Sequence, residues 1–341
     1  MRQQLIFGFT LLTLACALRA GDVMTPDVQH SRLMLVVSKH LPGITVYDAD
    51  TEEPICRATM GISPHEAAFS LDGRYAYVPV YGSSGVGQPG TDEHILHFIQ
   101  TSDCREIGSL DTGNYKRPHG IAVGQSGTIY LTAETAESVL LIDPQQRQIT
   151  ATIPTGSKTS HMLALTRDEK KIYVSNVQSK TVSVLAVPSR KLEDTVPTGT
   201  QNQRMTLSPD ERWFVTSLGP DHKIAFYRTS DNQLDFTIPV DGIPFVAKFS
   251  ADGKYLYDAG HQQNRIRVWK IDVARRKVLA TTTDDLGSEA GSLEVNPFNH
   301  EVYVSDQATN KISEIDPETW KVKKQLSTDK TPDCMSFITV R

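Results

Sequence analysis

The sequence predicts an all-β chain folded as a seven-bladed β-propeller with four antiparallel strands per blade. Three observations predict it. One phrase recurs seven times along the chain. Each full copy holds four short β-type runs separated by polar turns. The run count closes if one C-terminal strand joins three N-terminal strands, which removes the exposed sheet edge between first and last blade.

The phrase reads PHEAAFSLDGRYAYV from Pro64, PHGIAVGQSGTIYL from Pro118, SHMLALTRDEKKIYV from Ser160 and NQRMTLSPDERWFV from Asn202. It continues as PFVAKFSADGKYLY from Pro244, AGSLEVNPFNHEVYV from Ala290 and a truncated PDCMSFITV from Pro332. The period is about 42 residues, in the range of solenoids, propellers and arrays. Helical repeats would place apolar residues at i, i+3, i+4 and i+7, and these copies do not.

Taken in order, the chain begins with a signal peptide over residues 1–20. Arg2 precedes the apolar run LIFGFTLLTLACAL, no acid occurs before Asp22, and small residues surround Cys16. The run is too short to span a bilayer comfortably, so no transmembrane segment is expected after cleavage. A lipoprotein box at Leu14-Ala15-Cys16 is disfavoured by Thr13, where an aliphatic residue is preferred. Export to the periplasm or medium is therefore expected. Residues 21–32 form an N-terminal extension and 33–341 the propeller. LMLVVSK, ITVYDAD and ICRATM supply the three N-terminal strands, and MSFITV the closing one.

Composition limits the function classes. The 341 residues are 39% hydrophobic and 22% charged, with 18 Pro and 22 Gly, as suits a turn-rich soluble fold. The formal charge of −5 becomes −6 on loss of Arg2, or −7 on loss of Arg2 and Arg19. That acidity, without a basic run, argues against a nucleic-acid partner. After the signal only Cys56, Cys104 and Cys334 remain, with no CxxC, CxxCH or zinc-ribbon spacing. Nor is there a nucleophile elbow, HExxH or P-loop. Cys56 and Cys104 are expected on diverging outer strands and therefore unbridged.

KIYVSNVQSKTVSVL (Lys171 to Leu185) and EVYVSDQATNKISEID (Glu301 to Asp316) resemble the YVTN repeat of YncE-like periplasmic seven-bladed propellers. The resemblance runs from Leu33 to Arg341. It implies the fold, and it places lactonase-like and nitrite-reductase-type propellers as more distant relatives. It leaves function open, because one fold hosts many activities.

In a propeller the residue at the start of each inner strand lies at one mouth of the axial channel. The second residue of each copy should therefore form a ring of His65, His119, His161, Gln203, Phe245, Gly291 and Asp333, with Cys334 beside it. A Pro-His pair can be scaffold alone, but three His in registered positions should converge. Ends of second strands bring His40, Glu134, Asn176, His261 and Asp306 to the same mouth, and Arg204 follows Gln203. His65, His119 and His161 are the candidate metal ligands, for a divalent transition metal such as zinc, copper or iron. Glu134 and His119 are the candidate catalytic pair. Arg204, Gln203, Asn176, His261 and Asp306 are candidate ligand contacts, with Arg204 suited to an anionic group.

Three readings follow. The first is an exported propeller binding a small ligand or metal ion at the mouth. The second is an enzyme, a lactonase-like hydrolase or lyase using the same site. The third is a scaffold for a protein partner on the broad faces. The insertion YGSSGVGQPGTDEH, Tyr81 to His94, sits beside His65 and reads as a lid. Its GxGxxG contains Pro89 and precedes no helix, so it is no dinucleotide loop. Trp213, Trp269 and Trp320 are expected to pack, Lys321 to Lys324 to be a solvated patch, and Cys334 to be a soft ligand, a nucleophile or an inert buried thiol.

Overall fold

Among the described residues, short runs rich in Val, Ile, Tyr and Thr form 28 strands, grouped in seven four-stranded sheets. The computed structural model describes residues 30–83 and 85–341, which leaves the expected signal peptide outside the described residues. The propeller unit spans Ser31–Arg341. Among the described residues the helical elements are two 3-10 turns, Glu134–Ala136 and Gly219–Asp221. No helix among them is long and apolar enough to cross a membrane.

The innermost strands are Pro332–Thr339, Ala68–Phe69, Pro118–Val123, Ser160–Leu165, Met205–Leu207, Ile243–Phe249 and Ala290–Val295, in blades 1 to 7. Blade 1 is the closure. Pro332–Thr339 pairs antiparallel with Arg32–Ser38, matching Leu33 with Ile338 and Leu35 with Ser336. The next strands outward are Gly43–Asp48 and Pro54–Thr59.

A repeated local device turns each inner strand into the second. In SLDGRY, Ser70 Oγ donates to Asp72 Oδ1 at 2.6 Å, and that oxygen accepts the Arg74 N–H at 3.1 Å. Ser208 with Asp210 and Ser250 with Asp252 repeat it at 2.7 Å. Such Asx geometry fixes the hairpin from local sequence. Gly73 takes the left-handed position there, at φ 74°.

The core lies between neighbouring sheets. Val215 and Phe226 of blade 5 pack against Phe249 and Trp269 of blade 6. The tryptophans act as packing residues. Trp269 is buried and donates to Asp241 at 2.7 Å, Trp213 donates to Asp235 at 2.9 Å, and Trp320 stacks on Tyr257.

One irregularity positions the site. Strand pairing slips between Pro118 and Ile121, Ser160 and Leu163, Pro244 and Val246, and Ala290 and Leu293. The closing strand slips between Pro332 and Met335. The residues released are the ring positions, so a β-bulge re-aims each one. Polar side chains of second strands cap several freed amides. Thr132 Oγ1 accepts the Gly120 N–H at 2.8 Å, Ser175 Oγ the Met162 N–H at 3.1 Å and Asp258 Oδ1 the Phe245 N–H at 3.0 Å. Thr132 and Ser175 then donate to carbonyls of the next blade, at His161 and Gln203. The Ser/Thr of the YVSN-type phrase thus serves both bulge and blade contact.

Lys321 to Lys324 is exposed on an outer strand as expected, and its three lysines are also ion-paired. Lys321 meets Asp284 at 3.2 Å, Lys323 meets Glu314 at 3.3 Å and also Glu301, and Lys324 meets Glu52 at 2.5 Å. The pairing has a simple cause: largely buried carboxylates on adjoining elements require counter-charges. Glu314 is still pushed up to about 7 from an ordinary 4.5, first by burial and then by Glu301 and Glu52. A raised carboxyl value means the folded chain keeps a proton that the unfolded chain releases. That contribution is complete below about 4.5 and is lost as pH rises through about 7. Glu314→Gln should therefore gain thermal stability over the parent between pH 5 and pH 8. A gap between the two melting temperatures that does not change with pH would refute this.

Candidate functional site

The bulged inner strands converge on a cavity of about 300 Å³ at the axis. All seven blades line it. His65, His119 and His161 come from blades 2 to 4, Gln203 and Arg204 from blade 5, and Phe245 and His261 from blade 6. Blade 7 gives Glu289, Ala290 and Gln307, and blade 1 closes the ring with Lys39 and Asp333.

The imidazoles are packed together. The His119 and His161 rings lie 3.8 Å apart between centroids, and His65 and His119 5.1 Å apart. His119 Nε2 and His65 Nδ1 are 3.3 Å apart, and His65 Nε2 lies 3.2 Å from Ser63 Oγ. Burial pushes His65 down to about 3 despite nearby Asp333, and it pushes His119 well below the usual range, helped by the other two imidazoles. Both are therefore neutral at pH 7.

His65 and His119 pair with each other, and His161 pairs with Glu134. Among the described residues no three His, Cys, Asp or Glu side chains are arranged to hold a metal ion. His119 Nδ1 is buried without a hydrogen-bond partner.

Beside His65 is a paired set of charges. Lys39 Nζ lies 2.9 Å from Asp333 Oδ2. Arg204 contacts Glu66 at 2.8 Å and Asp333 at 3.7 Å. Burial works against Asp333 ionising, yet Lys39, His65 and Arg204 hold its carboxyl below the usual range. Burial likewise opposes the Arg204 charge, and Glu66 and Asp333 outweigh it. The cations of this wall are already neutralised by their own carboxylates.

Glu134 stands behind His161 and does not line the cavity. It is 3% exposed. It accepts from the Tyr81 hydroxyl at 2.8 Å and the Gly87 N–H at 3.0 Å, and it meets Arg117 and His161 Nδ1 each at 3.3 Å. Burial would raise its pKa, but the His161 and Tyr81 hydrogen bonds and the Gly87 N–H bring it below the usual range.

Two further expected contacts lie in the walls. Asn176 is buried and bonds Ser160, Thr181 and Ser183. Asp306 accepts the backbone N–H groups of Ser288, Glu289, Ala308 and Thr309, so it orders the loop before the blade 7 inner strand. His261 does line the cavity, and its Nε2 accepts the Ala290 N–H at 3.2 Å. His40 points elsewhere and meets Thr331 at 2.7 Å.

Residues 121–240 match the model of the YNCE-like beta-propeller family. The chain has a YncE-like β-propeller fold. Among solved structures, a functionally unknown protein from Desulfotomaculum acetoxidans is similar, at 14% identity over 91% of this chain and 99% of that one, with a TM-score of 0.75. A candidate 6-phosphogluconolactonase from Bacteroides uniformis is similar at 13% identity over 91% and 100%, with a TM-score of 0.72. Kuenenia stuttgartiensis hydrazine synthase shares 20% identity over 63% and 67%, with a TM-score of 0.57. At such identities these likenesses speak for fold alone. No curated protein matches the sequence.

The propeller also holds a smaller chamber of about 40 Å³, where Glu66, Arg204, Lys248, Glu294 and Cys334 meet apolar side chains such as Met162 and Leu293. Cys334 is buried, and burial and Glu66 push its thiol well above the usual range. It is therefore a protonated thiol, unsuited to nucleophilic attack. Lys39, Glu289 and Gln307 line the main cavity without having been singled out by sequence. Lys39 had a signal, since it sits in SKH beside His40, where strand phase decides which side chain faces the axis. Gln307 directly follows Asp306 in the same way.

Proposed function

We propose that this is an exported propeller whose axial cavity binds a small, uncharged, oxygen-rich molecule of monosaccharide or sugar-lactone size. The observation that carries this reading is the charge balance of the cavity. Lys39 and Arg204 are matched by Asp333 and Glu66, and the nearby His65 and His119 are neutral. No surplus positive charge remains for a phosphate or a polycarboxylate. What remains is a set of neutral donors and acceptors on His65, His119, Gln203 and Gln307, beside the apolar face of Phe245. A volume of about 300 Å³ sits at the low end of ligand cavities. A Cys56–Cys104 disulfide supports the export reading, because such bonds persist in oxidising compartments.

The test is calorimetric titration of the mature protein, purified without a His tag and assayed for metal. Probes are D-glucose, fresh D-glucono-1,5-lactone, gluconate and inorganic phosphate. Neutral probes should bind, and Gln203→Ala should weaken them about tenfold, the scale of one lost hydrogen bond. Binding of the anions in preference to the neutral probes would overturn the reading. Stoichiometric metal, lost in His119→Ala, would replace it with a metal centre.

A further inference from the structure

We infer that His161 is the proton-accepting group of the cavity, and that Glu134, clamped by Tyr81, Arg117 and the Gly87 amide, is the positioning residue that sets its tautomer. The inference rests on the cavity being the functional site, and it adds a role that cavity shape alone does not assign.

Four groups converge on the Glu134 carboxylate. Tyr81 and Gly87 belong to the insertion after the second strand of blade 2, Arg117 precedes the blade 3 inner strand, and His161 begins that of blade 4. The first three donate to it: a phenol hydroxyl, a guanidinium and a backbone N–H. Both carboxylate oxygens are engaged, Oε2 by Tyr81 and His161, Oε1 by Gly87 and Arg117. A fully solicited carboxylate accepts only, so His161 Nδ1 must carry the proton it shares with Oε2. When Nδ1 carries the ring's one proton, Nε2 is the lone-pair nitrogen. Among the described residues it has no hydrogen-bond partner, and His161 lines the cavity. A base aimed at the cavity with its rear nitrogen held by a carboxylate is the arrangement general-base chemistry requires.

The clamp is itself held. Gln178 Nε2 donates to the Gly87 carbonyl at 2.9 Å, so blade 4 anchors the peptide that bonds Glu134. Arg117 is anchored by Asp92 on its other side. Gly87 sits at φ 65°, and a Cβ there would come within 2.6 Å of Gln178 Nε2. The glycine therefore allows both the backbone turn and the close approach. Of the three imidazoles, His161 alone has its Nδ1 on a carboxylate held in this way. His65 Nδ1 lies between His119 and Asp333, and His119 Nδ1 has no partner.

The experiment is long-range ¹⁵N–¹H NMR of ¹⁵N-histidine-labelled full-length mature protein. In the parent, His161 should show a protonated Nδ1 and an unprotonated Nε2. In Glu134→Gln the side-chain amide can donate to Nδ1, and the tautomer should reverse. Tyr81→Phe keeps the carboxylate and should keep the parental tautomer, and it serves as the reporter if Glu134→Gln does not fold. A parental His161 with Nε2 protonated, or a tautomer unmoved by Glu134→Gln, would overturn the inference, as would reversal in Tyr81→Phe. These readouts need no ligand, so failure of the sugar titration leaves them standing. Where a neutral sugar does bind, Glu134→Gln should weaken it about tenfold, because an acceptor has become a donor.

Discussion

Replacing Asp333 by Asn is expected to cost the propeller about 3–5 kcal/mol, the usual penalty for stranding a buried charge. The change preserves shape and removes one negative charge. The Asp333 side chain is 3% exposed and faces Lys39 at 2.9 Å and Arg204 at 3.7 Å. Arg204 retains Glu66, but Lys39 has no other carboxylate within ion-pair distance among the described residues. The stranded Lys39 should therefore dominate the loss. Adding Lys39→Met should recover more than half of it, because partners in one network couple. The pH dependence follows from the depressed Asp333 carboxyl. Its stabilisation is present above the unfolded value of 3.8 and disappears as pH falls through the lower folded value. Parent and Asp333→Asn should thus differ fully at pH 7 and converge in strong acid. Urea unfolding at pH 7 and at pH 3 measures both. A loss under 1 kcal/mol at pH 7 would mean that water, not Asp333, balances the lysine.

The fold was legible because propeller information is local and repeated. Asp72, Asp210 and Asp252 announce the hairpins through their own short hydrogen bonds. Closure by Pro332–Thr339 could be counted, since that strand pairs only with Arg32–Ser38 among the described residues. The ring at the mouth was legible for the same reason. Repeat register alone places His65, His119, His161, Gln203, Phe245 and Asp333 around one cavity.

Side-chain direction at strand ends was not legible. Asn176 and Asp306 occupy positions equivalent to mouth residues, but each turns into the wall to satisfy backbone and hydroxyl groups. A single-residue phase difference separates wall from cavity there, as Asp306 and Gln307 show. Nor could the sequence reveal that Arg204 is already paired. Its partner Glu66 is 138 residues away, and only the ring brings the two together. The role of Gly87 was hidden by its neighbours, since a glycine-rich insertion reads alike whether it is free or pinned to Glu134 and Gln178.

The disulfide is the clearest correction, and it carries the second large prediction. Cys56 lies on the outermost strand of blade 1, where divergence of the blades argued against a bridge. Cys104 does not lie on an outer strand at all. It occupies the tight turn between Ile95–Gln100 and Glu106–Asp111 of blade 2, at φ 55°, and that turn reaches back to blade 1. The Cα atoms are 5.5 Å apart, within bridging range, and the cysteines are joined. The bond ties the closure blade to its neighbour across 48 residues. Constraining a loop of that length in the unfolded chain is worth about 4 kcal/mol in the entropy model, with measured values typically about 2–4. Cys56→Ser/Cys104→Ser should lose that amount in urea unfolding, and reductant should bring the parent to the same midpoint. A thiol count in denaturant provides the independent check. The mature parent should titrate Cys334 only, so three thiols would remove the bridge, and with it one support for export. Because blade 1 is held together by strands from both ends of the chain, the loss should appear mainly as faster unfolding. The bond secures the one blade whose opening breaks the ring.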